Sequence, residues 1–216
     1  MRKPLFLSIL LLSLAGLSAQ AAPALDQEFA PASPTLYTEF SELTRAQTFT
    51  VGAAGLLSRF EVLIQSNSPG STTGLFEIHP TVAGVPVLGS DPLASAIVTY
   101  GTSEGLAFYG ADISSFGIMV SAGDVLAIVN PGHQPDYSAR WWAGMFTGDH
   151  YAGGQFYTNV STLSPPGVSS AYILQTGSDL GFRTYVDSCG PAPIPAPGAL
   201  LLVGIGLVCT ASRRLR

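Results

Sequence analysis

Short segments of alternating apolar and polar residues, separated by clusters of Gly, Pro, Ser and Thr, make up most of residues 22–190. In residues 56–65, for example, Phe60, Val62 and Ile64 fall on one face and polar side chains on the other. A period of two residues is the signature of a β-strand with one buried face. No stretch of a dozen residues there follows the 3.6-residue period of an amphipathic helix. The pattern therefore predicts an all-β fold.

The spacing of these segments predicts about eight to eleven strands in two antiparallel sheets packed face to face, a β-sandwich. Residues 125–129 are apolar on both faces, which predicts a central strand. Residues 82–86 are predicted to form a loop. The predicted strands cover residues 25–29, 47–51, 56–65, 75–79, 93–100, 106–109, 116–120, 125–129, 139–146, 155–157 and 180–186.

The first 21 residues have the composition of a secretory signal peptide. Arg2 and Lys3 precede an apolar core over residues 5–17, and small residues suited to cleavage follow it. We therefore predict a signal helix over residues 1–21, export through the inner membrane and a single ectodomain over residues 22–190.

The charge of the ectodomain argues against two classes of partner. It contains four arginines, no lysine and all fourteen acidic residues of the chain, which gives a net charge of −10. Proteins bind nucleic acid and anionic membrane surfaces through clustered Lys and Arg. Composition therefore argues against both partners and favours solubility outside the cell.

The sequence contains no motif for catalysis or metal binding in the required context. Residues 101–105 match G-x-S-x-G, but a predicted strand follows them where a nucleophile elbow needs a helix. His79, His133 and His150 match no metal-ligand spacing, and Cys189 has no disulfide partner within the ectodomain. We therefore predict a protein that is not an enzyme and needs no cofactor, metal or disulfide. Calcium held by scattered carboxylates stays an alternative without named ligands.

Two adjacent tryptophans lie among the seven aromatic residues of segment 137–157. Side chains alternate along a strand, so Trp141 and Trp142 are predicted to face opposite ways. Trp141 shares its face with small and apolar residues, whereas Trp142 shares its face with Arg140. This contrast predicts a buried Trp141 and an exposed Trp142.

Exposed aromatic rings on a β-sheet can stack on sugar rings, with charged side chains supplying hydrogen bonds. The alternative is that the rings fill the core, where large aromatic side chains usually lie. The candidate sugar-binding residues are Trp142, Tyr137, Tyr151 and Arg140.

Residues 191–216 combine three unlike parts. Prolines alternate through a spacer at residues 191–197, an uncharged apolar segment follows over residues 198–211, and three arginines lie near the end. As a helix the apolar segment would be about 21 Å long, shorter than a hydrocarbon core of about 30 Å. This length predicts a short C-terminal apolar helix that inserts transiently, with the arginines on the cytoplasmic side.

This order of parts resembles the PEP-CTERM sorting signal of exported bacterial proteins, although Ala196 stands where that signal has Glu. The resemblance implies recognition and cleavage by an exosortase-type membrane enzyme. It also implies a protein that is membrane-anchored before processing and located at the cell surface or outside the cell afterwards. A weak tail anchor is the alternative. The corresponding sorting motif consists of Pro195, Ala196, Pro197, Arg213, Arg214 and Arg216.

Residues 46–52 and 179–186 resemble the two ends of a jelly-roll-like domain of bacterial surface proteins, and residues 151–154 are similar to one of its loops. The resemblance implies a jelly-roll-like sandwich without known catalysis. We therefore expect a structural or adhesive protein of the cell surface or extracellular matrix. The alternative is a carbohydrate-binding module acting on exopolysaccharide through exposed aromatic residues. A hydrolase is a third reading, for which no catalytic triad or carboxylate pair can be placed.

Overall fold

The computed structural model describes residues 23–39, 43–66, 72–87, 90–100, 105–131, 140–159 and 171–188. These residues lie within one compact unit, Ala22–Cys189. They form two antiparallel sheets, one of which curls into a half-barrel, so the predicted all-β class is confirmed. The predicted terminal helices and the sorting motif lie outside the described residues.

The described residues form fifteen strands and one short 3-10 turn, Ser114–Phe116. The strands are β1 (Ala24–Phe29), β2 (Leu36–Glu39), β3 (Thr44–Thr50), β4 (Gly55–Ser66), β5 (Thr72–Val82), β6 (Val85–Pro86), β7 (Ala94–Tyr100), β8 (Gly105–Asp112), β9 (Met119–Val120), β10 (Val125–Asn130), β11 (Arg140–Phe146), β12 (Phe156–Asn159), β13 (Ile173–Leu174), β14 (Ser178–Leu180) and β15 (Phe182–Asp187).

In each sheet, several neighbouring strands are far apart along the chain. The first sheet has the order β1-β15-β4-β11-β14, with β2 beside β11 and with β8 and β9 beside β4. The second has the order β13-β12-β3-β10-β5-β6, with β7 beside β5. The strand predicted to be central, β10, lies between β3 and β5.

The core lies between the two sheets, and aromatic rings from both sheets meet in it. The Phe60 and Phe76 ring centroids are 6.2 Å apart, and those of Phe49 and Phe182 are 5.8 Å apart. Burying one such ring stabilises the fold by about 1.5–3 kcal/mol. The inward face predicted for residues 56–65 is confirmed, because Phe60, Val62 and Ile64 are fully buried. Other strands contribute the fully buried residues Phe76, Ile78, Leu180 and Phe182.

The last predicted strand, residues 180–186, is interrupted at Gly181. The chain pairs with β11 before this residue and with β4 after it, so Gly181 lies where β4 and β11 separate. The Gly181 N–H donates to the Ala143 carbonyl at 2.8 Å, and its carbonyl accepts the Leu63 N–H at 2.9 Å. A Cβ at this position would lie 2.6 Å from the Leu63 Cβ. Only glycine therefore fits between the two strands without displacing a neighbour.

Other local differences from the predictions also have physical causes. Residues 82–86 do not form a loop but end a hairpin in which β5 pairs with β6, and Ala83 and Gly84 turn the chain with positive φ. Phe116 belongs to the 3-10 turn rather than to a strand. The sequence pattern does not predict β2 or β13, because four and two residues are too few to show a period. No helix in the described part of the chain is both long and apolar enough to cross a membrane.

Candidate functional site

The two tryptophans face the opposite way from the prediction. Trp142 is 0% exposed, its indole Nε1 donates to the Gly181 carbonyl at 2.8 Å, and its ring meets Phe76 edge to face at 5.4 Å. Trp141 lies on the other face of β11 and is half-buried. The predicted exposure of Trp142 is therefore wrong. The prediction relied on Arg140, but Arg140 is only the first residue of β11. Further along the strand, Phe76 of the opposite sheet covers Trp142.

The four candidate sugar-binding residues do not form one exposed platform among the described residues. Trp142 has no ring face open to solvent, so it cannot stack on a sugar in this conformation. Tyr151 packs edge to face on Phe182 at 5.0 Å. Tyr137 lies outside the described residues, and only the backbone of Arg140 is described, so their roles stay predictions.

The Tyr151 hydroxyl forms a hydrogen bond within the protein. It donates to the Gln27 Oε1 at 2.9 Å. Burial raises the pKa of Tyr151 to about 12, so this hydroxyl keeps its proton at neutral pH and stays a donor. Tyr151 therefore joins the loop after β11 to β1.

Asp179 is a buried carboxylate, 2% exposed, that joins both sheets to one loop. Its Oδ2 accepts the backbone N–H groups of His150 and Tyr151 at 2.9 and 3.0 Å, and its Oδ1 accepts the Gln47 amide at 3.2 Å. Gln47 lies on β3 of the second sheet, and its Oε1 accepts the Leu180 N–H at 2.8 Å. Asp179 therefore ties this loop to both sheets.

The titration of Asp179 should be visible in the pH dependence of stability. Burial raises the pKa of this carboxyl above its ordinary value of 3.8, against the opposing effect of the His150 and Tyr151 N–H groups. A raised folded-state pKa contributes stability that is present below the unfolded value and is lost as pH rises through the folded value. We expect the unfolding free energy of the wild type, minus that of Asp179→Asn, to fall as pH rises from about 3.8. Urea unfolding of both proteins at a series of pH values measures this difference in free energy. A difference that rises with pH would contradict the prediction.

Glu77, His79 and Ser90 lie in a line that resembles a hydrolytic triad in residue type. The His79 Nε2 is 2.9 Å from the Glu77 Oε2, and its Nδ1 is 3.5 Å from the Ser90 Oγ. The Ser90 hydroxyl, however, donates to the Val87 carbonyl at 3.0 Å, and 3.5 Å is long for a hydrogen bond to the imidazole. The serine proton is thus directed into a turn rather than toward the histidine. We interpret the three residues as a brace for that turn.

The described residues contain no assembled set of metal ligands. No group of three or more His, Cys, Asp or Glu side chains there lies close enough to hold an ion. His150 stacks on Phe29 with ring centroids 6.4 Å apart, and His133 falls outside those ranges.

The solvent-facing side of the first sheet carries linked ion pairs across β1, β15 and β4. The Arg59 Nη2 donates to the Glu61 Oε1 at 2.6 Å, and the Tyr185 hydroxyl donates to the Glu61 Oε2 at 3.0 Å. The Arg183 Nε donates to the Glu28 Oε1 at 2.6 Å, and its Nη1 lies 3.6 Å from the Glu61 Oε2. Surface ion pairs add little stability, about 0–1 kcal/mol each. Their main effect here is to hold charged groups in fixed positions.

Comparison with known proteins assigns no family to this chain. No family model matches it, and a search among curated proteins finds no relative.

Proposed function

We propose that the protein is an exported, non-catalytic protein of the cell surface or extracellular matrix, with a structural or adhesive role. The observation that carries this proposal is the network of ion pairs on the first sheet. Polar groups already held in position lose little conformational entropy on binding, which favours recognition of an external partner. The net charge of −10 over residues 22–190 suits a domain that stays soluble outside the cell.

The route to the surface is the second part of the proposal. Residues 1–21 direct export, and the apolar segment 198–211 inserts transiently in the membrane until an exosortase-type enzyme cleaves near Pro195-Ala196-Pro197. This part is supported by the sequence and by the resemblance to the PEP-CTERM signal. The finer jelly-roll topology belongs to the proposal in the same way, supported by the two antiparallel sheets.

Mass spectrometry of the protein recovered from the cell surface tests this route. We expect the mature chain to lack the residues beyond about Pro197. Replacing Arg213, Arg214 and Arg216 by alanine should leave uncleaved protein in the membrane fraction. Intact chain ending in Arg216 on surface-located wild-type protein would contradict the processing.

The structural or adhesive role is tested in the cell that makes the protein. Deleting its coding sequence should weaken cell adhesion or matrix cohesion, and restoring the wild-type chain should recover it. An unchanged matrix would contradict the role. Turnover of polymeric sugars or esters that disappears in Ser90→Ala would contradict the non-catalytic part.

A carbohydrate-binding module is the second candidate function. It is favoured by Tyr37, which is 46% exposed, and by Trp141, which lies on the face of β11 opposite the core. Such rings supply a stacking surface for sugars at little cost in side-chain entropy.

A further inference from the structure

The side of the first sheet that carries the ion pairs also carries aromatic side chains. Because Trp142 points into the core, Trp141 and Ala143 lie on the other side of β11. Ala143 is 0% exposed, so its neighbours on that side cover it. Ala143 is paired with Tyr37 of β2, and directly paired residues share a face. Trp141 and Tyr37 are therefore diagonal neighbours, and the Cα atoms of such neighbours lie about 7–8 Å apart.

The same face continues over β4 and β8. Trp141 is paired with Gln65, and Gln65 is paired with Leu106. Phe108 lies two residues beyond Leu106 and so shares its face. The Arg183 guanidinium lies over the Phe108 ring, 3.9 Å from its centroid. The apolar patch and the ion pairs are therefore one continuous surface.

We propose that this surface is the ligand site of the domain and that its ligand is an uncharged linear polysaccharide. The proposal rests on the binding function proposed above and gives it a location and a ligand class. It replaces Trp142 by Trp141 as the stacking residue. The site, called the aromatic face below, consists of Tyr37, Trp141, Leu106 and Phe108.

The chemistry of the aromatic face matches that of a sugar chain. The apolar side of a pyranose ring stacks on an indole or phenol ring. Sugar hydroxyls can donate to the carboxylate of Glu28 and accept from the guanidinium of Arg183, because both side chains are partly exposed. The four strands β2, β11, β4 and β8 lie about 4.8 Å apart, so the face is about 14 Å wide, enough for more than one ring. These features favour a polymer over a single sugar.

The charges next to the aromatic face select the kind of occupant. Arg59 and Arg183 are balanced by Glu61 and Glu28, which leaves no excess positive charge in the network to attract an anionic polymer. A second copy of the chain is disfavoured, because two ectodomains of net charge −10 repel each other. A neutral ligand rich in hydroxyl groups fits this balance.

Native affinity electrophoresis of the full-length chain in a mild detergent tests the proposal. The gels contain hydroxyethylcellulose, galactomannan or dextran as neutral polysaccharides, and alginate as an anionic one. We expect at least one neutral polymer to retard the wild type. Trp141→Ala and Tyr37→Ala should each weaken that binding about tenfold. The matched control is Phe116→Ala, because Phe116 is 49% exposed but lies in the 3-10 turn outside this face, and it should bind within about twofold of the wild type.

Four results would overturn the proposal. They are no retardation by any neutral polymer, retardation by alginate alone, equal binding by the wild type and both face variants, and self-association that Trp141→Ala abolishes in analytical ultracentrifugation. Thermal unfolding of each variant shows whether a loss of binding reflects a loss of folding. The proposed surface role is judged separately. If deleting the coding sequence weakens the matrix and the Trp141→Ala chain restores it fully, the surface role stands and the aromatic face is not its site.

Discussion

Trp142→Ala should lower the free energy of unfolding by about 3–5 kcal/mol, the range for truncating a large aromatic side chain in a core. The side chain is 0% exposed and packs against Phe76 of the opposite sheet, so its removal leaves a cavity between the sheets. The Gly181 carbonyl would lose the indole N–H but keep the Leu63 N–H at 2.9 Å. Most of the loss should therefore come from the cavity. Urea denaturation followed by circular dichroism measures it.

Trp141→Ala is the matched control for this measurement, because the same side chain is removed one residue away. Trp141 is half-buried on the outer face, so its removal opens no closed cavity and should cost about 1 kcal/mol or less. Similar losses in the two variants would mean that both rings lie in the core. The aromatic face would then lose its central residue.

Asp179→Ala should lower the free energy of unfolding by about 3 kcal/mol, because it leaves three donors without their acceptor. These donors are the N–H groups of His150 and Tyr151 and the side-chain amide of Gln47. An unsatisfied buried donor costs about 1–3 kcal/mol, and water entering the loop recovers part of that sum. The loop after β11 should also become more mobile, which hydrogen exchange at His150 and Tyr151 would report.

Asp26→Ala is a matched control for burial. The Asp26 carboxylate also accepts two consecutive backbone N–H groups, those of Gly52 and Ala53, but it does so near the surface. Water can replace the lost acceptor there, so the expected loss is only about 0.5–1.5 kcal/mol. If both variants lost the same amount, burial of Asp179 would not be what makes its contacts important.

Most strand positions and their inward faces could be predicted, because alternation is a local property of the chain. β4 illustrates this: Phe60, Val62 and Ile64 are all fully buried, as the sequence indicated. The interruption at Gly181 was not predictable in the same way. It depends on the separation of β4 and β11 at that point, and the sequence of each strand does not show where the other strand lies.

The candidate site could be predicted from the sequence even less well than the strands. Tyr37 lies on a strand of four residues, too short to display a period, and it joins Trp141 only through the pairing of β2 with β11. The crowding of aromatic residues in segment 137–157 drew attention to Trp141 and Trp142. It could not show which of two adjacent tryptophans is open to solvent.

What the sequence by itself determined is the all-β class, the inward faces of the clearly alternating strands, and an acidic segment, residues 22–190, without clustered basic residues. These follow from residue type and spacing, which need no knowledge of distant neighbours. Only the tertiary structure decided which face of β11 is covered, because both of its faces carry large apolar side chains. Burial is a relation between a surface and its partner, and the partner of Trp142 is Phe76, from a strand of the other sheet.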